Sequence, residues 1–379
     1  MASDKQDKVL NVPTLRFPEF TGVWRFRELQ LLVPQISSGK DKPEEGTYTL
    51  YGSTGPMGKT SKASYNEEIV LVARVGANAG HLQIVNEPCG VTDNTLVLNG
   101  KDWNHYIYYY LQHYNLNKLV FGSGQPLITG GMLKKIRIFG GAQNERNKIV
   151  ELLQRVDDRI STQIRIIEDL RNLKTYIHNR VFSKVNTLFG QRNTIRLSDI
   201  ATKITRKNKG NTINNVLSNS AAMGIVPQAE VFDKEIANED NTANYYVISN
   251  GDFVYNPRKS TQAPFGPINM YKGKEDGIIS PLYLCFQVTN INKNYLLHYF
   301  MSNVWYSYIY SNGDTGVRHD RVSIKDETFL DMPLYIHAFD KQHEIANMME
   351  QVDAKIALEE LYLTKLQKQK DYLLSAMFV

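Results

Sequence analysis

The chain has 379 residues, of which 42% are apolar and 22% charged, and its net charge is +5. That length is too great for one ordinary core and suits two domains of about 150 to 200 residues, while the composition excludes wholesale disorder. No run approaches the roughly 18 to 20 consecutive apolar residues of a membrane span, and the opening Met1-Ala2-Ser3-Asp4-Lys5 lacks the apolar core of a signal peptide, so a cytoplasmic location is expected.

In chain order, residues 1–142 read as a first domain, 143–186 as a first long helix and linker, 187–340 as a second domain and 341–379 as a second long helix. The first domain opens with Arg27-Glu28-Leu29-Gln30-Leu31-Leu32, and the second with the similar Ile195-Arg196-Leu197-Ser198-Asp199-Ile200. Strands entering loops are expected at Glu68 to Arg74 and Gly251 to Arg258, with shorter strands at Thr95 to Leu98 and Leu282 to Phe286. Each set is followed by an aromatic-rich helix, Trp103 to His113 and Asn294 to Tyr308, in which Tyr106 aligns with Tyr295 and Tyr110 with Tyr299. Such tyrosine stripes read as packing surfaces.

A repeat organises the whole chain. Ile149 to Phe182 matches Ile345 to Phe378 at a constant offset with no gap, and Ile149/Ile345, Val156/Val352, Asp157/Asp353, Ile160/Ile356, Leu170/Leu366, Lys174/Lys370, Tyr176/Tyr372 and Phe182/Phe378 are identical. Apolar residues step by three or four through both copies, and neither contains Pro or Gly, so both are helices. At about 1.5 Å per residue, each helix is longer than a small domain is wide, and its apolar stripe needs a partner beyond its own domain. Because the second copy starts where the first one ends, the expected pairing is antiparallel. The fold class is therefore α+β: two mixed α/β domains, each followed by a long helix, with the two helices forming an antiparallel coiled coil of pseudo-twofold symmetry.

Catalytic signals fail on spacing. Gly52-Ser53-Thr54-Gly55-Pro56-Met57-Gly58-Lys59-Thr60 ends like a phosphate-binding loop, but five residues separate its outer glycines where four are needed, and Pro56 removes an amide donor. Asn256-Pro257-Arg258-Lys259 begins like the corner of an amino-methyltransferase but lacks the second Pro and the aromatic that stacks a flipped base. The eight His form no dense ligand cluster, the carboxylates form no recognisable acid-base pair, and Cys89 and Cys285 read as small core hydrophobes. No catalytic residue, metal site or cofactor site is expected. A stand-alone methyltransferase or nuclease with an unrecognised site is the alternative, and a helical-spacer interaction protein without a DNA role is a third reading.

Charge by segment is +3, +3, 0 and −1, so any nucleic-acid footprint has to be built locally from loops. Polar and basic loop residues recur in both halves. In the first domain the candidates for DNA contact are Lys40, Lys42, Tyr51, Ser53, Thr54, Arg74, Asn78 and Gln125; in the second they are Arg206, Lys207, Lys209, Arg258, Lys259, Arg318, His319 and Arg321. Arg74, Gln125, Arg258 and Arg318 are expected at or near base edges, and Lys40, Lys42, Arg206, Lys207 and Lys259 at phosphates.

Taken together, Val12-Pro13-Thr14-Leu15-Arg16-Phe17-Pro18-Glu19-Phe20, Tyr51-Gly52-Ser53-Thr54-Gly55, Arg74-Val75-Gly76-Ala77-Asn78-Ala79-Gly80, Gly124-Gln125-Pro126 and the two repeat helices resemble the specificity subunit of a type I restriction-modification enzyme, across essentially the whole chain. The resemblance implies two target-recognition domains that read a split sequence in double-stranded DNA. It also implies two modification methyltransferase subunits as partners, joined by restriction/translocase subunits in the full complex. Catalysis then belongs to the partners, S-adenosylmethionine to the modification subunit, and ATP and magnesium to the restriction subunit. Two dissimilar domains on an antiparallel spacer are expected to read unlike half-sites about one helical turn apart, roughly 34 to 36 Å.

Overall fold

The computed structural model describes residues 11–120, 126–183, 189–230, 239–314 and 319–379. The chain divides into two compact units, Met1–Arg165 with Glu360–Val379, and Ile166–Glu359. Each long helix therefore contributes residues to both.

In the first unit a four-stranded antiparallel sheet runs in the order Ile36–Ser38, Thr95–Leu98, Ile69–Ala73, Leu82–Val85. Ile69-Val70-Leu71-Val72-Ala73 is apolar throughout because both faces of this strand are covered. Successive side chains point to opposite faces. Val70 and Val72 pack with Leu96, Leu98, Tyr106 and Ile107, while Ile69 and Leu71 pack with Cys89, Val91 and Val97. The second cluster lies under a three-stranded sheet of Gly55–Thr60, Tyr48–Gly52 and Cys89–Val91. The stretch resembling a phosphate loop is thus a hairpin turn and a strand, with no helix to complete a phosphate cradle.

The second unit repeats this construction. Ala201–Lys203, Leu284–Val288, Phe253–Tyr255 and Ile268–Met270 form an antiparallel sheet, with Phe253, Tyr255 and Phe286 in the main core and Val254 and Cys285 in a smaller cluster behind it. A further sheet runs Gly224–Pro227, Val216–Ser220, Gly277–Ile279, Tyr246–Ile248. Burial pushes the thiols of Cys89 and Cys285 up to about 11 and about 12, as suits side chains that pack as hydrophobes.

The similar openings of the two domains have one structural role. Arg25–Glu28 pairs antiparallel with Arg137–Gly140, and Arg192–Arg196 with Pro333–His337. Each ribbon is closed by a leucine amide: Leu29 N–H donates to the Ile136 carbonyl at 2.8 Å, and Leu197 N–H to that of Met332 at 2.9 Å. Both leucines are fully buried.

The aromatic helix of the first unit spans Asn104–Tyr114. Its counterpart differs from the expected single helix, being split into Lys293–Met301 and Tyr306–Asn312. The break has two causes in the sequence. The Ser302 hydroxyl donates to the Tyr299 carbonyl at 2.6 Å, and the Trp305 indole N–H takes the Phe300 carbonyl at 2.9 Å, so side chains occupy acceptors that a continuing helix would use. Phe253–Tyr255 is shorter than the expected Gly251 to Arg258, and Leu284–Val288 is displaced two residues along from the expected Leu282 to Phe286.

The long helices run Gln143–Phe182 and Phe339–Met377, 40 and 39 residues. Within the first unit they run antiparallel: Lys370 Nζ meets Asp157 Oδ1 at 2.7 Å, and Arg159 Nη2 donates to Tyr362 Oη at 2.6 Å, so rising numbers on one helix meet falling numbers on the other. In the second unit Lys174 pairs with Asp353. Both ion pairs therefore join the same two repeat positions, which accounts for the identities Asp157/Asp353 and Lys174/Lys370. Ile149, Leu153 and Val156 enter the core of the first unit together with Leu373, Met377 and Phe378; Ile345 and Met349 enter that of the second with Val181 and Phe182. No helix among the described residues is long and apolar enough to cross a membrane.

Candidate nucleic-acid interface

In the first unit the sequence-predicted loops gather at one end of the four-stranded sheet, around the turn Thr92-Asp93-Asn94-Thr95. The Asn94 carbonyl accepts both the Arg74 N–H at 2.9 Å and the Ser53 hydroxyl at 3.1 Å. Thr92 N–H donates to the Tyr51 carbonyl at 3.0 Å, and Gly39 N–H to that of Thr95 at 3.0 Å. Three stretches far apart in sequence, 39–42, 51–54 and 74–78, are thereby tied to one turn. Gly39 is required there, because a Cβ at this position would sit 2.1 Å from the Val91 carbonyl oxygen.

Lys40 and Lys42 are exposed, and the residue between them turns inward. Asp41 accepts the Val91 N–H at 2.8 Å and the Ser64 hydroxyl at 2.6 Å. Neither lysine makes an ion pair among the described residues, so both ammonium groups stay available to an anion.

Arg74 is half-buried and held by its backbone, with its carbonyl accepting Ile128 N–H at 2.8 Å. Its Nε is buried with no hydrogen-bond partner among the described residues. A buried guanidinium nitrogen left unpaired is costly, and a ligand acceptor would remove that cost. Gly76, at φ +77°, turns the chain after it, and Gly76 N–H donates to the Pro126 carbonyl at 3.1 Å. The Arg74-to-Gly80 loop therefore lies against the segment that follows Gln125, which itself falls outside the described residues. Asn78 is exposed, as is Thr54 at the hairpin turn. The Tyr51 phenol donates to Glu87 Oε1 at 2.8 Å, and burial reinforced by this carboxylate pushes its pKa up to about 12. Its hydroxyl anchors the hairpin.

In the second unit two basic stretches are held by different means. Arg206 is paired with Asp276, Nη2 to Oδ2 at 2.5 Å, and the Asp276 carboxyl is lowered by the hydrogen bond from Ser249 and by Arg206. The buried Asn208 closes the following turn, donating to the Ile213 carbonyl at 2.9 Å and accepting its N–H at 3.1 Å, which leaves Lys207 and Lys209 exposed. Elsewhere Arg258 and Arg321 face each other across an antiparallel bridge, flanked by Lys259 N–H to the Asp320 carbonyl at 2.9 Å and Val322 N–H to that of Pro257 at 2.9 Å. His319 is exposed beside this bridge, and Arg318 lies outside the described residues. Arg258, Lys259, His319 and Arg321 are thus brought together, although some sixty residues separate the two segments.

The Arg258 loop rests on buried asparagines. Asn256 accepts the Arg258 N–H at 3.0 Å and donates to the Asn219 carbonyl at 2.9 Å, while Asn219 donates to the Val254 carbonyl at 2.7 Å and accepts from Asn269 at 2.7 Å. Sequence reasoning passed over Asn94, Asn219 and Asn269. For Asn94 the signal was present as the polar turn cluster Thr92-Asp93-Asn94-Thr95 between two apolar strands. Among the described residues no group of three or more His, Cys, Asp or Glu side chains could hold a metal ion.

Two α/β units that each present turn-borne basic and amide side chains, and each embed parts of two long helices, define a tandem loop-presenting scaffold. Residues 33–171 match the family described as the type I restriction modification DNA specificity domain. The specificity subunit of the type I restriction enzyme EcoprrI from Escherichia coli is 26% identical over 121 residues, a match covering 31% of this chain and 29% of that relative's length. Among solved structures, the type I restriction-modification S subunit from M. genitalium superposes with a TM-score of 0.55 at 17% identity, over 97% of this chain and 99% of that one. A structure described as showing complex assembly and conformational transition of the type I R-M system gives a TM-score of 0.57 at 13% identity, over 94% and 97%. These likenesses establish the shared fold.

Proposed function

We propose that the chain is the sequence-reading subunit of a type I restriction-modification assembly. It binds double-stranded DNA in the cytoplasm, recognises a bipartite and asymmetric target, and leaves methyl transfer and cleavage to partner subunits. The observation that carries this reading is the cluster of Arg74, Ser53 and the 39–42 loop on one turn, in a segment matching a DNA specificity domain. Arg74 and Arg258, with Gln125 and Arg318, serve base edges; Lys40, Lys42, Arg206, Lys207 and Lys259 serve phosphates. Tyr51, Ser53, Thr54, Asn78, Lys209, His319 and Arg321 complete the two surfaces. Because the loops of the two units differ, the half-sites differ, with unread base pairs between them.

Two modification subunits suit the repeat. Tyr176 and Tyr372 are identical positions of the two copies, yet they are 61% and 62% exposed, so packing within the chain does not account for their identity. The same residue offered twice fits two copies of one partner, and Arg155, Arg159 and Arg165, earlier on the first helix, are further candidates for its contact. S-adenosylmethionine would be held by those partners, and ATP with magnesium by the restriction subunits.

The test is duplex binding by the purified chain with and without modification subunits, alongside assays of the chain alone for methyl transfer and cleavage. Salt-dependent binding strengthened by the partners, with no turnover by the chain alone, is expected. Turnover by the chain alone would make it an enzyme. Mapping methylated sites in cells with and without the chain should give one split motif, and a continuous motif would overturn the bipartite reading.

A further inference from the structure

The second unit contains a cavity of about 410 Å³ between its two basic stretches. One flank carries Tyr246, whose backbone bridges to Lys207; the other carries Pro257 and Arg321, neighbours of the bridge between Arg258 and Arg321. The lining rests on the buried pair Tyr255 and Phe329, stacked on each other with ring centroids 4.4 Å apart and planes 23° apart. Tyr283 and Leu282 complete the mouth, and Leu282 is 71% exposed.

This lining is unusual for a surface that reads base edges in a groove, which requires side chains that reach outward. It has flat aromatic and proline surfaces, and neither the Tyr246 nor the Tyr283 hydroxyl forms a hydrogen bond among the described residues. Each phenol can donate or accept. Cations stand at the rim: Arg321, held by Asp320 at 3.0 Å, and Lys203, held by Asp326 at 2.5 Å. The partly exposed rings of Tyr246 and Tyr283, their free hydroxyls and the neighbouring cations are complementary to a planar heterocycle with a polar edge, attached to a phosphate backbone. The volume falls in the range of small-molecule sites.

We propose that this cavity receives a single nucleobase swung out of the bound duplex. Stacking on aromatic walls and hydrogen bonds to the base edge are the means by which proteins hold an extruded base. The inference rests on the DNA-reading function proposed above and assigns the second unit a recognition device beyond groove contacts. The step is conformational, and no bond is made or broken.

The test uses the full chain and two labelled duplexes of the same sequence, one fully paired and one carrying a single unpaired thymine, with thymidine monophosphate as a third probe. The unpaired base is already out of the stack, so the duplex carrying it should bind about tenfold more tightly, this being the unstacking cost avoided. Leu282→Trp, which fills the mouth from an exposed position, should bring the ratio of the two affinities to one, and Tyr283→Phe should lower it. Equal, salt-dependent affinity of the wild-type chain for both duplexes would overturn the inference and leave the DNA-reading function standing. Saturable binding of the free nucleotide without preference for the unpaired duplex would overturn the DNA origin of the base. Failure to bind either duplex would remove the function and the inference with it.

Discussion

Phe182, at the end of the first long helix, meets Tyr295 edge-on with ring centroids 5.3 Å apart, and it meets Tyr299 in the same way at 5.4 Å. Phe378, its repeat equivalent, meets Tyr106 and Tyr110 at 5.3 and 5.6 Å. Each phenylalanine is buried against a tyrosine pair spaced one helical turn apart, so the end of each long helix is anchored in an aromatic core. Phe378→Ala removes a ring that is 3% exposed and should destabilise the first unit by about 3 to 5 kcal/mol. Tyr372→Ala, six residues earlier but exposed, should change stability by about 0.5 kcal/mol or less. Denaturant midpoints of the two variants check the contrast, and equal midpoints would mean that Phe378 is no anchor.

The ion pair between Asp157 and Lys370 is partly shielded and shared with Tyr109, whose hydroxyl donates to Asp157 Oδ2 at 2.9 Å. A double-mutant cycle with Asp157→Asn and Lys370→Met should give a coupling of about 0.5 to 1 kcal/mol. A cycle on Lys174 and Asp353 should give a coupling of the same sign. Additive effects at both pairs would show that the identities at these repeat positions have another cause.

His178 and His298 are buried together, with rings stacked 5.3 Å apart and Nε2 3.1 Å from Nδ1. Burial, aided by His298 and Lys174, holds His178 down at about 3; burial holds His298 down at about 4 against the opposing pull of Asp353. His337, lowered by burial and then Arg192, also lies at about 4. Their folded pKa values lie below the unfolded value near 6.5, so the unfolded chain takes up protons that the folded rings refuse. Stability of the second unit is then complete above about pH 6.5 and falls as pH drops toward 4, by up to about 1.4 kcal/mol per pH unit for each ring. The double variant His178→Leu/His298→Leu should flatten this slope, as followed by peptide-resolved hydrogen exchange across pH 4 to 7. An unchanged slope would assign the acid sensitivity elsewhere.

Arg258 is exposed and forms no salt bridge among the described residues, whereas Arg206 is already paired with Asp276. Arg258→Ala should cost about 1 to 3 kcal/mol against the cognate site and relax the preference at one base position. Lys40→Ala should weaken all sequences alike and reduce the salt slope by about one. Binding curves on cognate and scrambled duplexes at several salt concentrations separate the two. An Arg258→Ala chain with unchanged affinity and preference would exclude that residue from the interface.

The helical repeat was legible because its information is local: apolar residues at spacings of three and four define a buried stripe wherever the partner lies. The identities Asp157/Asp353, Lys174/Lys370 and Phe182/Phe378 could be read from the sequence without their partners, and the structure supplies those partners in equivalent places. The long run Asn294 to Tyr308 was harder to read. Its periodicity is helical, yet the competing hydrogen bonds of Ser302 and Trp305 divide it, and periodicity does not register such competition.

The order of elements, the doubled helix and the basic turn residues follow from the sequence by itself, because propensity, periodicity and identity act over a few residues or in a fixed register. The tertiary structure alone decided that one carbonyl, that of Asn94, binds both Ser53 and Arg74, that Arg206 is paired with an aspartate while Lys40 is left open, and that two basic stretches border an aromatic cavity. Such pairings join residues twenty to seventy positions apart. They are set by how the sheets pack and which polar groups must find partners once water is excluded, and no local pattern encodes that choice.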